Sequence, residues 1–226
     1  LVITDFVVAH DPAKQYDLLY SDRSINKTAK DMKDYGADYY GGIPIMFQHA
    51  LTSVHFSLKT DATETVNLLS IQLKNVKNKG TFKENITNET EFARNPQWTI
   101  ADASEVKSYT SFTGSVEFPL NPQYVSALAA LDGTDDNDVS HPLLMMPQAL
   151  GNDVVVEVKY EVGGEEKTRT VQLNQYPATN PITVWEVGTK YTYRLVYSRE
   201  AQRNDIIYFS PETDVWADGG IIEVIL

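Results

Sequence analysis

The sequence predicts an all-β protein, an antiparallel β-sandwich with Greek-key connections and one short crossover helix. Apolar and polar side chains alternate along most segments, turn residues recur at short intervals, and one segment alone has helical spacing. The chain has 226 residues, of which 42% are hydrophobic, so it is long enough to bury a substantial core.

The clearest predicted strand runs from Val154 to Val162, with valine or tyrosine at every second position and Glu or Lys at most positions between them. Gly163 and Gly164 follow directly and have the conformational freedom that a type I′ turn needs. The chain then resumes as Thr168–Leu173. These segments predict a β-hairpin.

A second strong strand is Lys190–Ser198, entered through a turn at Gly188. Its predicted core face consists of Tyr191, Tyr193, Leu195 and Tyr197. A third strand spans Thr65–Val76, where alternation predicts that Leu69, Ile71 and Leu73 share one face. The sequence Asn78-Lys79-Gly80 has turn composition, so we expect this strand to end there.

The segment 43–59 changes the phase of its alternation near His49 to Leu51. Apolar residues occupy odd positions before this point, as at Ile43, and even positions after it, as at Val54. A strand cannot move its buried side chains to the other face without an extra residue or a bend. We therefore expect a β-bulge here, or a strand that leaves one sheet and joins another.

The remaining predicted strands have shorter apolar patterns. They are Val2–Ala9, Asp17–Tyr20, Trp98–Ala101, Tyr109–Phe118, Leu143–Met146, Ile206–Phe209 and Ile221–Leu226. The helix is predicted from Asn121-Pro122 to Gly133, with an N-cap, an early Pro and a terminal Gly. Residues 10–42 are mostly polar, so we expect 1–42 to be the tail of an N-terminal β domain with its connection, and 43–226 to be the main sandwich domain.

Charge and composition exclude several classes of partner. Lys and Arg total 19 against 31 Asp and Glu, and the net charge of −12 repels nucleic acid and anionic lipid. The chain has no cysteine, which excludes disulfides and thiolate metal sites. No apolar run reaches the ~20 residues of a membrane-spanning helix.

Candidate metal sites in the sequence are weak. His49 and His55 are the histidines expected to share one strand, but six positions of an extended strand span about 20 Å, too far for two ligands of one ion. The acidic loop Asp132–Asp138 has Gly and Asp at positions that do not follow the EF-hand pattern, so a solvated loop is favoured over a calcium site. We expect no metal and no cofactor.

Motifs for nucleotide binding, zinc hydrolysis and a nucleophile elbow do not occur in the sequence. A glycosidase needs only two carboxylates, and the candidates are Glu157, Glu161, Glu165 and Glu166. Alternation places the first two on a solvated face, and we expect the other two in a turn. The sequence therefore predicts no catalytic residue, and we expect that the protein is not an enzyme.

Tyr35, Tyr39 and Tyr40 lie beside three glycines and form a possible recognition loop. Tyrosine offers an apolar face with a polar tip, which suits a sugar ring or a protein partner. The alternative is that these rings pack against the sandwich.

Four motifs resemble the fimbrillin-like family of the Bacteroidales in order and spacing. They are His49–Phe56, Ile71–Val76 followed by Lys79–Phe82, Leu144–Gln148 and Trp185–Tyr193. The resemblance covers roughly residues 43–216, and Asp5–Val8 with Asp17–Tyr20 is similar to the segment that precedes this domain in the family.

The resemblance implies two transthyretin-like β-sandwich domains, export as a lipoprotein precursor, and assembly into fimbriae associated with the outer membrane. It also implies other fimbrial subunits as partners, joined by β-strand exchange, in which a neighbour's strand completes an exposed sheet edge. The alternative function is a tip or surface adhesin that binds carbohydrate or a host protein.

The chain begins later than the family pattern, which predicts that most of the N-terminal domain and the export signal lie upstream. The strand-exchange candidate is the last segment, which is β-branched and has no Pro. Its apolar residues are Ile221, Ile222, Val224, Ile225 and Leu226. The alternative is an ordinary last core strand.

Overall fold

The fold was analysed in a computed structural model. The structure describes residues 1–21, 47–60, 64–86, 94–101, 106–117, 142–176, 180–197 and 207–215. Thirteen β-strands and two short 3₁₀ turns, Pro12–Lys14 and Leu173–Gln175, make up the regular structure of these residues. The prediction of an all-β fold is confirmed.

The strands are numbered in the order in which they follow one another along the chain. They are β1 Val2–Val7, β2 Leu19–Ser21, β3 Phe47–His49, β4 Thr52–Thr60, β5 Val66–Lys77, β6 Lys79–Ile86, β7 Arg94–Ile100, β8 Val106–Glu117, β9 Leu143–Met145, β10 Val155–Val162, β11 Glu165–Gln172, β12 Thr189–Tyr197 and β13 Ile207–Val215.

The strands form four sheets. Two are four-stranded, with the orders β11-β10-β5-β8 and β13-β12-β4-β9, one is three-stranded, β1-β6-β7, and one is the pair β2-β3. All described pairs are antiparallel except β12 with β4, which is parallel. The prediction of an antiparallel sandwich is confirmed at every other described pair. β12 and β4 are an exception because two strands far apart in sequence become neighbours without a hairpin between them.

The two four-stranded sheets share one hydrophobic core. Phe56 of β4 stacks on Tyr193 of β12 at 5.9 Å between ring centroids, and Tyr160 of β10 meets Tyr197 of β12 edge to face at 5.8 Å. All four rings are at most 2% exposed. The Tyr160 contact joins one sheet to the other, so aromatic packing closes the sandwich.

Two local predictions are confirmed. Gly163 and Gly164 have φ values of 62° and 83° and connect β10 to β11 as a two-residue hairpin turn. The phase change near His49 is a change of sheet, because β3 pairs with β2 whereas β4 pairs with β12 and β9.

The prediction for β5 is wrong in two details. Leu68 is buried in place of Leu69, because β5 is offset against its neighbours β8 and β10 near this point and its buried face shifts by one residue. β5 ends at Lys77 as predicted, but Asn78-Lys79-Gly80 does not form the expected turn. After Asn78 alone, the chain continues as β6 in the three-stranded sheet, so one extended segment serves two sheets.

Several predicted features lie outside the described residues. They are the helix 121–133, the acidic loop 132–138, Tyr35, Tyr39, Tyr40 and the strand 221–226. The boundary at residues 42 and 43 also lies there, and the division into 1–42 and 43–226 stays a prediction. None of the described helical turns is long and apolar enough to cross a membrane.

Candidate functional site: the β1 edge

Strand exchange requires a sheet edge that can accept a strand, and most outermost strands of the described sheets carry features that oppose pairing. β7 and β13 contain Pro96 and Pro211, which have no backbone N–H to donate. β11 carries charged residues at Glu165, Glu166, Lys167 and Arg169. β2, β3 and β9 have three residues each. The outer strands that remain are β8 and β1, and each pairs irregularly with its neighbour. β1 has six residues against twelve in β8, so fewer backbone hydrogen bonds hold it in place.

β1 is held by one described strand, β6, and the pairing is irregular. Ile3 lies opposite Phe82 and Phe6 lies opposite Gly80, so three steps on β1 correspond to two on β6. The extra residue forms a bulge in which Asp5 has a φ of 56°, and its carboxylate lies 2.7 Å from the Lys79 ammonium. This ion pair is exposed, so it contributes little stability.

Beneath β1 lies a row of aromatic rings. Phe6 meets Trp98 of β7 at 5.7 Å, Trp98 meets Phe82 of β6 at 5.4 Å, and Phe82 meets Tyr20 of β2 at 5.2 Å. The Trp98 indole N–H donates to the Ala50 carbonyl at 2.6 Å. Phe82 is fully buried whereas Phe6 and Trp98 are partly exposed. The row therefore becomes less covered toward β1.

Gly80 of β6 is packed closely against β7 beside the aromatic row. A Cβ at this position would lie 2.8 Å from the Thr99 carbonyl oxygen and 3.3 Å from the Met146 sulfur, so no larger residue fits without movement of β7. Phe6 of β1 is the register partner of Gly80, so the aromatic side chain of β1 lies beside this close approach of β6 and β7.

The histidines and glutamates considered above have local partners. His49 lies on β3 and His55 on β4, so the expectation that they share a strand is wrong. The His49 Nδ1 lies 2.5 Å from the Asp17 carboxylate. His55 Nε2 lies 2.7 Å from the Ser53 hydroxyl. Among the described residues, no group of three or more His, Asp or Glu is placed to hold a metal ion.

Glu157 lies on the face of β10 opposite the buried Val156 and Val158, as alternation predicts, and its carboxylate is 2.7 Å from the Lys74 ammonium. Glu165 and Glu166 begin β11 instead of lying in the turn, because Gly163 and Gly164 alone form the connection.

The sequence predicted strands at Val2–Ala9 and Trp98–Ala101, but it did not identify this edge as a site. β6 was not predicted, because Phe82 is the one large buried side chain among its polar neighbours and alternation needs several. The aromatic residues Phe6, Phe82 and Trp98 are far apart in the chain, so nothing in the sequence joins them. The predicted strand-exchange segment 221–226 and recognition loop Tyr35, Tyr39 and Tyr40 lie outside the described residues and stay predictions.

Fold and edge together define the class of this protein as a multi-sheet β-sandwich module. A model of the fimbrillin-like family matches residues 4–216, and the chain therefore belongs to the fimbrillin-like family. This is a structural and adhesive family, so the chain is a pilus- or adhesion-related protein.

One solved structure supports the fold, and two others are similar at lower TM-scores. A candidate cell adhesion protein from Bacteroides uniformis is similar with a TM-score of 0.56 and 15% identity over 96% of this chain and 66% of that one. A candidate cell adhesion protein from Parabacteroides distasonis gives a TM-score of 0.44 and 14% identity over 80% and 55%. A fimbrial protein from Bacteroides vulgatus gives a TM-score of 0.37 and 16% identity over 76% of this chain and 56% of that one. The chain thus spans about two thirds or less of the length of these proteins. Comparison with curated proteins finds no match.

Proposed function

We propose that the chain is a structural subunit of a cell-surface fimbria and that it joins neighbouring subunits by β-strand exchange at the position of β1. The observation that carries the proposal is that β1 covers a row of aromatic rings while pairing with β6 through an irregular register. The partners are other fimbrial subunits, and the location is a fimbrium associated with the outer membrane, reached from a lipoprotein precursor. Catalysis has no part in this function.

Replacement of β1 is physically favourable for three reasons. β1 is six residues long, its bulge interrupts the hydrogen-bond ladder, and both Val2 and Val7 are more than half exposed. A regular strand in its place would make an uninterrupted ladder with β6. Backbone hydrogen bonds then provide affinity, and alternate side chains provide register.

The donor in this proposal is the segment 221–226, as the sequence suggests. Without a bulge, the residues opposite Gly80 and Phe82 are two positions apart. Ile222, Val224 and Leu226 form such a set, whereas the other face includes Glu223. Burial of an unpaired carboxylate is costly, so we expect Val224 to face the aromatic row and Glu223 to face solvent.

The acceptor is tested by locking β1 in place. Val2 and Lys83 are paired and exposed, and the chain has no cysteine, so Val2→Cys with Lys83→Cys creates one defined disulfide. We expect the oxidised protein to form no detergent-resistant ladders and the reduced protein to form them. The control is Lys159→Cys with Thr168→Cys, an exposed pair in the β10–β11 hairpin. Equal ladders from both oxidised proteins would exclude β1 as the exchanged strand.

The donor is tested separately by deletion of residues 221–226, which we expect to abolish the ladders. Val224→Lys and Ile225→Lys place the same charge on opposite faces of the segment. We expect Val224→Lys to prevent assembly and Ile225→Lys to allow it, because only the first buries the ammonium group. A chain that assembles without the segment would show that another strand is donated.

The second candidate function is a tip or surface adhesin. It is supported by the candidate cell adhesion protein of similar fold from Bacteroides uniformis and by the cluster of Tyr35, Tyr39 and Tyr40 in the sequence. Binding to a glycan array or a host protein that is lost on Tyr39→Ala with Tyr40→Ala would favour it. Retained binding in this variant would exclude the tyrosine cluster as the recognition site.

A further inference from the structure

The three-stranded sheet β1-β6-β7, the small sheet, joins the rest of the molecule along one row of residues. β1 ends at Val7, β6 begins at Lys79 and β7 ends at Ile100. Val7 pairs with Lys79, and Ile100 pairs with Gly80, the next residue of β6. The connections from β1 to β2, from β5 to β6 and from β7 to β8 therefore lie at the same end of the small sheet.

The residues that flank this row belong to the sandwich. Val8 is 3% exposed in the large core, and its N–H donates to the Asn78 carbonyl at 2.9 Å. Lys77, the last residue of β5, pairs with Val106 of β8, and the Gln148 side chain bonds to both backbone groups of Lys77. These bonds lie at the row or on its sandwich side, so they need not break when the small sheet moves.

Away from the row, the small sheet packs on an apolar cluster that is separate from the large core. Phe82 of β6 meets Tyr20 of β2 at 5.2 Å between ring centroids, and the two are buried together with Ala50. The Trp98 indole N–H donates to the Ala50 carbonyl at 2.6 Å. In the described part of the chain, this cluster contains three buried residues, whereas the large core contains residues of both four-stranded sheets.

The surface beneath the small sheet is held by bonds of its own. The Tyr20 hydroxyl donates to the side-chain oxygen of Gln48 on β3 at 2.7 Å, and the Ala50 N–H donates to the Leu18 carbonyl at 2.7 Å. Neither bond involves the small sheet. This surface therefore stays in place when the small sheet leaves it.

The contact of the small sheet with the rest of the protein is weaker than the large core. Among the described residues, the side chains of the small sheet that pack against the large core are the partly buried Phe6, Trp98 and Ile100. Burial of apolar surface is the main stabilising term in folding, and regions with little of it open at lower free energy than the core does. We therefore expect the small sheet to separate from its support at a lower cost than unfolding of the sandwich.

We propose that the small sheet is a hinged unit that opens about the row of Val7, Lys79 and Ile100 while the two four-stranded sheets stay folded. Opening breaks the hydrogen bond from Trp98 to Ala50 and separates Phe82 from Tyr20. It thereby uncovers an apolar surface without global unfolding. β1 moves with the small sheet, so this inference does not depend on strand exchange at β1.

Opening is measured by the labelling of a buried thiol, because the chain has no cysteine of its own. Ala50→Cys places the thiol beneath the small sheet, and Val158→Cys places it in the large core. Both native residues are 0% exposed. With a reagent that reacts more slowly than the protein closes, the labelling rate reports the population of the open state. We expect the Ala50→Cys protein to be labelled faster than the Val158→Cys protein under native conditions.

Two further substitutions separate opening from global unfolding. Ile3→Ala on β1 trims a side chain that packs on the small cluster, and it should raise the labelling rate of the Ala50→Cys protein about tenfold. Tyr193→Phe removes the acceptor of the Trp185 indole N–H in the large core. It should raise the labelling rate of the Val158→Cys protein about fivefold and leave that of the Ala50→Cys protein unchanged, because the sandwich is intact in the open state.

Each outcome of these measurements decides the proposal. Equal acceleration of both labelling rates by Tyr193→Phe would show that the small sheet opens only with the whole molecule. An unchanged rate for Ala50→Cys with Ile3→Ala would show that this thiol is reached without movement of β1. Either result overturns the hinge.

The Trp98 indole N–H provides a second readout that needs no cysteine. Its hydrogen exchange should accelerate in Ile3→Ala and keep the wild-type rate in Tyr193→Phe, because only the first change affects the closed small sheet relative to the open one. The same shift in both variants, or none in Ile3→Ala, would contradict the proposal.

Discussion

Replacement of Gln148 should destabilise the fold far more than replacement of an exposed glutamine. The side-chain amide of Gln148 hydrogen-bonds to the backbone at the end of β5, as a neighbouring strand would. Its oxygen accepts from the Lys77 N–H at 3.0 Å, and its nitrogen donates to the Lys77 carbonyl at 3.0 Å and to the Met146 carbonyl at 3.1 Å. β10 pairs with β5 only as far as Lys74, so this amide continues the ladder where the strand has ended.

The magnitude follows from burial. Gln148 is 7% exposed, and Gln148→Ala removes all three hydrogen bonds of its side chain. A hydrogen bond contributes about 0.5–1.5 kcal/mol net, and buried groups that lose their partner add to the cost, so we expect a loss of about 2–4 kcal/mol in the free energy of unfolding. For a chain of this size, that loss lowers Tm by about 5–15 °C.

Denaturant unfolding monitored by tryptophan fluorescence measures this effect. The backbone N–H of Trp185 donates to the backbone carbonyl of Gln148 at 2.9 Å, so one fluorescent tryptophan lies beside the altered site. Gln148→Leu restores the volume without the hydrogen bonds and should remain destabilised, which separates polar loss from packing. Gln97→Ala should change stability by less than about 0.5 kcal/mol, as an exposed position does. A loss below about 1 kcal/mol for both Gln148 variants would refute the reasoning.

Three further predictions concern close packing and buried hydroxyls. Gly80→Ala should cost about 2–4 kcal/mol in denaturant unfolding, because its Cβ would lie 2.8 Å from the Thr99 carbonyl oxygen, and an unchanged midpoint would contradict this contact. Tyr109→Phe should be neutral or stabilising, because the buried hydroxyl has no hydrogen-bond partner among the described residues. Tyr193→Phe should cost about 1 kcal/mol, because it removes the acceptor of the Trp185 indole N–H at 2.9 Å. The reverse order of stability in thermal melts would refute both assignments. Burial raises the pKa of Tyr109 to about 12 and also raises the pKa of Tyr193, so the unfolded state loses protons first and stability should fall as the pH rises from 10 toward 12. If the variant with Tyr109→Phe and Tyr193→Phe loses stability between pH 10 and 12 as steeply as the wild type, this prediction is contradicted.

The sequence alone was sufficient to predict a strand and its ends where the strand has one buried face and is bounded by ordinary turns. The hairpin of β10 and β11, the tyrosine face of β12 and the turn at Gly188, whose φ is 63°, were predicted because alternation and glycine φ are local properties. The change of sheet after His49 was also predicted, because a phase slip is visible in the alternation itself.

Prediction failed where strands are irregular or switch sheets. Leu69 was predicted to be buried, but the offsets of β5 against two neighbours bury Leu68 instead. Asn78 suggested a turn, but the chain passes straight into a second sheet. The parallel pairing of β12 with β4 joins residues more than 130 positions apart, as in the Tyr191–Val54 pair. Each outcome depends on neighbours that local sequence does not specify.

The sequence by itself determined the all-β class, the main strands and, through four ordered motifs, the resemblance to the fimbrillin-like family. Only the tertiary structure decided what single residues in those motifs do. Gln148 belongs to one of the motifs, but its role as a partner for Lys77 appears only when β5 ends beside it. Likewise, the aromatic row under β1 depends on contacts between distant segments. Alternation records which side chains are buried, whereas the site depends on which strands become neighbours.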